Sequence, residues 1–434
     1  MAKGRISQPA TAYPSRSTTL LERIHLSTEA ENGHSQITSA EVKLQILIVG
    51  AGLGGLATAV ALARQGHQVT VLEQAAALGE VGAGIQIPPN SSRLLLRWGL
   101  GPYLEEYAVK PASMMFRRWE NGEPIGYTSL CPEFESRYGA PYYVIHRADF
   151  HSALCRRAKD LGVHIITNSR VIDYDETIPS ASTFDGREYR ADLIIAADGV
   201  KSRARSVVLG GEDLPPQRTG FAAYRATVDT QGIKRDKDTA WLLEKPVLNI
   251  CQKLLILGDA AHAMVPYMSQ GAAMAVEDGA ALAAAFSKIK HRQQLKTALR
   301  LFEKERMSRS YGMQSASLVN GRLWHFPDGP LQQARDLGMK SEVEGKPFVE
   351  STNQWSDPVT QIWAYGYDSE DAIDELWQAE ALLVAQRMKA VRVTEVIRVN
   401  LAICSKKIRG ILKALTAFNA VKYSFTCISL EQKQ

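Results

Sequence analysis

The chain has 434 residues, 45% of them hydrophobic and 22% charged, with a net charge of +5. That is enough for two packed domains and is not the composition of a disordered, collagenous or fibrous protein. The positive charge gathers in residues 391–434, with eight Lys/Arg against two Asp/Glu, so the near-neutral body is not a nucleic-acid-binding face.

No run of about 18 apolar residues occurs, so no spanning helix is expected. The five cysteines show no CxxC spacing, which argues against a disulfide framework or a zinc site and for a reducing, cytoplasmic setting. Residues 1–43 are rich in Ser, Thr and Ala and lack the apolar core of a signal peptide, so a disordered leader is expected. Leu44–Val49 reads as a buried parallel strand, Leu53–Gln65 as a helix and Gln68–Glu73 as a second strand, together a βαβ unit. Between the first strand and the helix lies Gly50-Ala51-Gly52-Leu53-Gly54-Gly55, a GxGxxG in the context that marks a dinucleotide site. Gly50 permits the tight turn, Gly52 a close approach of pyrophosphate, and Gly55 close packing of helix on strand. Glu73 ends the second strand, where a carboxylate accepts hydrogen bonds from ribose hydroxyls.

Asn90-Ser91-Ser92 fits a glycosylation sequon but is expected to cap a helix beginning near Ser92. Ala148–Leu161 reads as a helix, Val163–Thr167 as a strand, Asp185-Gly186 as a hairpin turn and Asp192–Ala197 as a buried strand. Lys253–Leu257 reads as a further strand, Gly271–Ser287 as an alanine-rich helix and Gln293–Ser317 as an amphipathic one. In 391–434, apolar residues at helical spacing beside lysines give either a packing tail or a membrane-surface helix.

The fingerprint alone does not separate FAD from NAD. Two further segments follow strands: Asp198-Gly199, and Gly258-Asp259 through Glu277. With the loop Glu80–Gln86, His146-Arg147, Gly321–Pro327 and Asn353–Pro358, they make the chain similar to class A FAD-dependent aromatic monooxygenases. The likeness is to the salicylate hydroxylase-like, fungal kind acting on phenolic or aromatic-polyketide substrates, over about residues 44–378. It implies an α/β fold: a Rossmann-like FAD-binding domain, a mixed-sheet substrate domain and C-terminal helices.

It also implies site roles. Gly50, Gly52, Gly55 and Glu73 would hold the adenosine half of FAD. The Gly82-Ala83-Gly84 loop would pass close to the flavin, and Arg147 would lie near the pyrophosphate. Asp198 and Gly199 would serve FAD and NADPH, Asp259 would bind ribityl and pyrophosphate, and Gly271 with Ala272 would start the helix under the flavin ring. Tyr224 is either a substrate-side tyrosine or a core one, and Arg205 either holds a phenolate or makes a structural salt bridge. His262 and His146 are expected to be structural, and no metal is expected. The implied reaction consumes NAD(P)H and O₂ and hydroxylates a small aromatic substrate through a C4a-hydroperoxyflavin, in secondary metabolism, as a monomer or homodimer.

One interval departs from this pattern. Only 33 residues separate Tyr224 from Gly258, room for roughly three strands. An internal deletion after Ile250 is therefore expected, which would truncate the substrate-domain sheet. The expected organisation is a leader at 1–43 and a first FAD-binding part at 44–220, with substrate-domain strands inserted near 88–145. A substrate-domain remnant at 221–250, a second FAD-binding part at 251–330, a helical and irregular region at 331–390 and a basic tail at 391–434 follow. The alternative to a working monooxygenase is a flavin-binding remnant with lost or uncoupled activity.

Overall fold

The computed structural model describes residues 39–79, 84–175, 178–209, 247–250 and 262–386. The expectations for the leader, Gly82, Ala83, Tyr224, the strand Lys253–Leu257, Asp259 and the basic tail lie outside these residues. The chain divides into two units, 1–374 and 375–434; the described part of the second, 375–386, is helical.

The first unit is organised by a four-stranded parallel sheet. Strand β1 (Gln45–Val49) leads through helix α1 (Leu53–Arg64) to β2 (Gln68–Leu72). Strand β3 (Gly84–Ile87), helix α2 (Pro89–Arg97), β4 (Ser113–Arg117), β5 (Pro124–Ser129) and β6 (Tyr143–His146) follow. Helix α3 (Arg147–Asp160) then returns the chain to β7 (His164–Ile166). An antiparallel meander, β8 (Val171–Asp175), β9 (Ser180–Thr183) and β10 (Glu188–Arg190), turns at Asp185-Gly186 and leads into β11 (Leu193–Ala196). The parallel sheet runs β11-β1-β2-β7. Its central strand, β1, is apolar along nearly its whole length because helices cover it, as parallel sheets require.

Helix α4 (Ala204–Leu209), strand β12 (Val247–Ile250), helix α5 (Gly271–Ser287) and the 30-residue helix α6 (Leu295–Trp324) come next. Two shorter helices, α7 (Pro330–Gly338) and α8 (Pro358–Tyr365), follow. α6 runs seven residues past its expected end at Ser317 because no breaker intervenes before Pro327, and Gly321 lies flat against the Tyr267 ring.

α1 and α5 pack in parallel. A Cβ on Gly54 would lie 3.3 Å from that of Ala275, and one on Gly279 would lie 2.9 Å from the Thr58 Cα. Small residues thus bring the two backbones together with their N-termini at the same end.

A second sheet, β12-β4-β5, is mixed: β12 runs parallel to β4, and β4 antiparallel to β5. Phe116 of β4 joins Phe134, Tyr142, Trp324, Trp355 and Tyr365 in one buried cluster, stacked on Trp324 at 4.0 Å. β4 and β5, which lie between β3 and β6 in the chain, thus belong to a sheet separate from the parallel one.

His67 closes the far end of α1. Its Nδ1 accepts from the Leu44 amide at 3.3 Å, and its ring meets Phe286 edge-on. Burial first, and the neighbouring Lys43 charge second, lower its pKa to about 4. The folded value lies below the unfolded one, so proton uptake favours the unfolded chain. This contribution is intact above about pH 6.5 and is lost as pH falls towards 4. In paired denaturant titrations, parent minus His67→Leu stability is expected to drop by about 2 kcal/mol over that window.

Candidate functional site: a nucleotide cleft at the strand ends

Three parallel strands end side by side. Val49 pairs with both Leu72 and Ala196, so the residues after them, Gly50, Glu73 and Ala197-Asp198, line one edge. The chain leaves β1 towards β2 on one side and meets β11 on the other. Such a switch point at carboxyl strand ends is where open α/β sheets bind ligands.

Gly50 has φ +105, and a Cβ there would overlap the Ala197 carbonyl oxygen. A Cβ on Gly55 would overlap the Gly50 carbonyl oxygen. Both glycines are therefore required by the turn itself. Gly52 differs: its backbone is extended (φ −71, ψ 179), and a Cβ there would meet nothing within 4 Å among the described residues. The fold makes no demand for glycine at this position.

Glu73 is placed by the loop it faces. Its Oε2 accepts from the Ala51 amide and its Oε1 from the Ala75 amide, each at 2.8 Å. Ala51 is gripped from the other side by His151 of α3, whose Nε2 lies 2.7 Å from its carbonyl oxygen. Arg147 sits one turn earlier on the same face of α3. That helix is capped by His146, whose Nδ1 accepts from the Ala148 amide.

Asp198 Oδ2 accepts from the Arg203 amide at 2.9 Å, with the Tyr174 hydroxyl at 3.5 Å, while Oδ1 is buried with no partner among the described residues. Burial, and then the Asp198 charge, push the Tyr174 phenol upward. Gly199 takes φ +78 to make the turn. Arg205 follows in α4 and donates to the Val200 carbonyl at 3.0 Å, so its guanidinium holds the backbone of that turn.

Gly271 and Ala272 open α5. Neither α1 nor α5 has a side-chain N-cap, since Gly52 and Gln270 make no capping bond. Both helices thus present first-turn amides that have no side-chain cap among the described residues to the same region, with the positive ends of their dipoles. Uncapped amides, an open Gly52 and an unpartnered buried carboxylate oxygen fit a dinucleotide with a pyrophosphate and sugar hydroxyls.

The structure overturns the capping role expected of Asn90-Ser91-Ser92. The helix starts at Pro89 with Pro88 as N-cap, because proline is preorganised for the first turn. Ser92 donates to Pro141 O at 2.6 Å, and Asn90 is wholly buried.

Asn90 belongs to a polar cluster that the motifs do not reveal. Glu277 is buried and accepts from Asn90 Nδ2 (2.6 Å), Arg306 (2.7 Å) and Arg309 (3.0 Å). Arg306 also donates to Asp278 at 2.8 Å, and His262 Nε2 lies 2.6 Å from the same carboxylate. Burial opposes the Asp278 charge, but Arg306 and His262 hold its pKa down at about 2. The signal for this cluster is an acidic pair inside an otherwise apolar helix, matched by two arginines three residues apart on the next one.

The FAD binding domain family matches residues 43–234 and 249–316. The chain is 29% identical to the FAD-dependent monooxygenase OpS4 of Beauveria bassiana over 409 positions, covering 75% of this chain and 95% of that protein. It is 29% identical to 3-amino-4-hydroxybenzoate 2-monooxygenase PtmB3 of Streptomyces platensis, covering 75% of this chain and 96% of that one. Among solved structures, CtdE in complex with FAD and substrate superposes with TM-score 0.62 at 21% identity, covering 79% of this chain and 100% of CtdE.

Proposed function

This chain belongs to the FAD-binding-domain family of monooxygenases, and we propose that it uses NAD(P)H and O₂ to hydroxylate a phenolic or aromatic acid, or an aromatic-polyketide intermediate. The observation that carries the reading is the cleft where Gly52, Glu73, Asp198 and the two uncapped helices meet. FAD, when bound there, supplies the redox and oxygen-transfer chemistry. The chain supplies the rest. First-turn amides of α1 and α5 take the negative charge of the pyrophosphate and of the reduced ring. Glu73 and Asp198 accept hydrogen bonds from sugar hydroxyls, and Arg147 neutralises phosphate.

PtmB3 is named for a hydroxylated benzoate, which supports an electron-rich aromatic acid as the substrate class. Such a phenol reacts as its phenolate, so a base or cation must lie beside it. Tyr224 and Arg205 are proposed for that role, although the bond from Arg205 to Val200 also suits a purely structural one.

A second reading is favoured by two observations. The alignment with OpS4 spans 409 positions, yet 75% of 434 residues is only about 326, so about 80 positions face no residue of this chain, the length of several strands. The family match is also interrupted between residues 234 and 249, close to the expected junction at Ile250. Both support an internal deletion that removes part of the wall keeping water from the flavin. On that reading the chain binds FAD but spends NAD(P)H on peroxide.

The test is steady-state turnover of the FAD-saturated chain with a panel of hydroxybenzoates. Substrate-stimulated NAD(P)H consumption with oxygenated product establishes the first reading. Peroxide equal to NAD(P)H consumed, with no product, establishes the second.

A further inference from the structure

We infer that Asn90 is a positioning residue for the flavin, gripping the helix under the ring from the start of α2; the inference rests on the FAD reading above. Asn90 stands three residues past β3, the strand that leaves the glycine-rich run 80–84. It is wholly buried, and its Nδ2 donates to Gln270 Oε1 at 2.9 Å and to Glu277 Oε1 at 2.6 Å. Gln270 is the residue before α5, and Glu277 lies about two turns into that helix. A single amide therefore fixes α5 at its start and its middle, relative to the segment that faces it.

The choice of residue 270 makes sense on this account. A serine or aspartate there would cap α5 with its own side chain. Gln270 does not cap; its side chain turns into Asn90 and is itself wholly buried. The first-turn amides of α5 are left for a ligand, while the side chain that could have competed with it is held by Asn90. Glu277 in turn is held by Arg306 and Arg309, so removing Asn90 strands no bare charge.

The experiment compares parent, Asn90→Ala, Gln270→Met and the double variant. It measures FAD dissociation constants, the reduction potential of the bound flavin and the melting temperature of the apoprotein. Each single variant is expected to weaken FAD binding about tenfold and to lower the potential, because α5 amides no longer held in place stabilise the anionic reduced ring less. The double variant should be no worse than Asn90→Ala, since both substitutions remove the same bond. The inference is overturned if the variants lower only the melting temperature and keep the parent affinity and potential. It is equally overturned if the two losses add. A parent that binds no FAD overturns the FAD reading and the inference with it, an outcome distinct from unaltered binding in the variants.

Discussion

Gly52→Ser leaves the apoprotein as stable as the parent and weakens FAD binding at least thirtyfold, an effect of about 2 kcal/mol. The expectation follows from what the fold does not need. The backbone at Gly52 is extended, and a Cβ there meets no atom of the described residues within 4 Å. Gly52 is also the N-cap of α1, a position where serine is at least as good as glycine. By folding alone, serine is the better residue. What it would obstruct is the close approach of a phosphate to the first-turn amides. Gly55→Ala behaves oppositely: its Cβ overlaps the Gly50 carbonyl oxygen, and the fold itself loses several kcal/mol, as overpacked sites do. Melting temperature and FAD titration on the two variants separate these effects. Parent-like affinity in Gly52→Ser would mean that no phosphate approaches this turn.

Glu277→Leu is expected to cost 3–5 kcal/mol, the usual result of leaving a buried charge unpaired. Here Arg306 and Arg309, both almost wholly buried, each lose a partner. Arg306 keeps Asp278 and Arg309 keeps the Trp363 and Ala364 carbonyls, so the loss stays within that range. Glu277→Gln keeps an acceptor for Asn90 and loses only the charge; it should cost about half as much. Urea unfolding of the three proteins gives the order. A Glu277→Leu protein within 1 kcal/mol of the parent would show that the cluster does not stabilise the fold.

The parts of this protein legible in the sequence are those written locally. β1, α1, β2 and their glycine turn follow from an apolar run, a GxGxxG and a second apolar run, and α5 runs from Gly271 to Ser287 as its alanines predict. The steric roles of Gly50 and Gly55 follow from the GxGxxG spacing alone, because the turn itself demands them. Asn90 could not be read correctly. Its partners lie 180 and 187 residues away, and beside two serines it looks like a helix cap. Pro88 and Pro89 take over that start, which frees the Asn90 side chain for the interior. The Glu277 cluster was illegible for the same reason: four chain segments meet there, and only the isolated acidic pair in α5 hinted at it. The Tyr174–Asp198 contact joins the meander to the nucleotide cleft and leaves no local pattern at all.

FAD is expected in the cleft at the ends of β1, β2 and β11. The most direct test is the visible spectrum of the purified, FAD-equilibrated and desalted chain, before and after anaerobic NAD(P)H. A retained oxidised-flavin band near one equivalent per chain, which NAD(P)H bleaches, is expected. A chain that is folded by circular dichroism yet retains no flavin would contradict it.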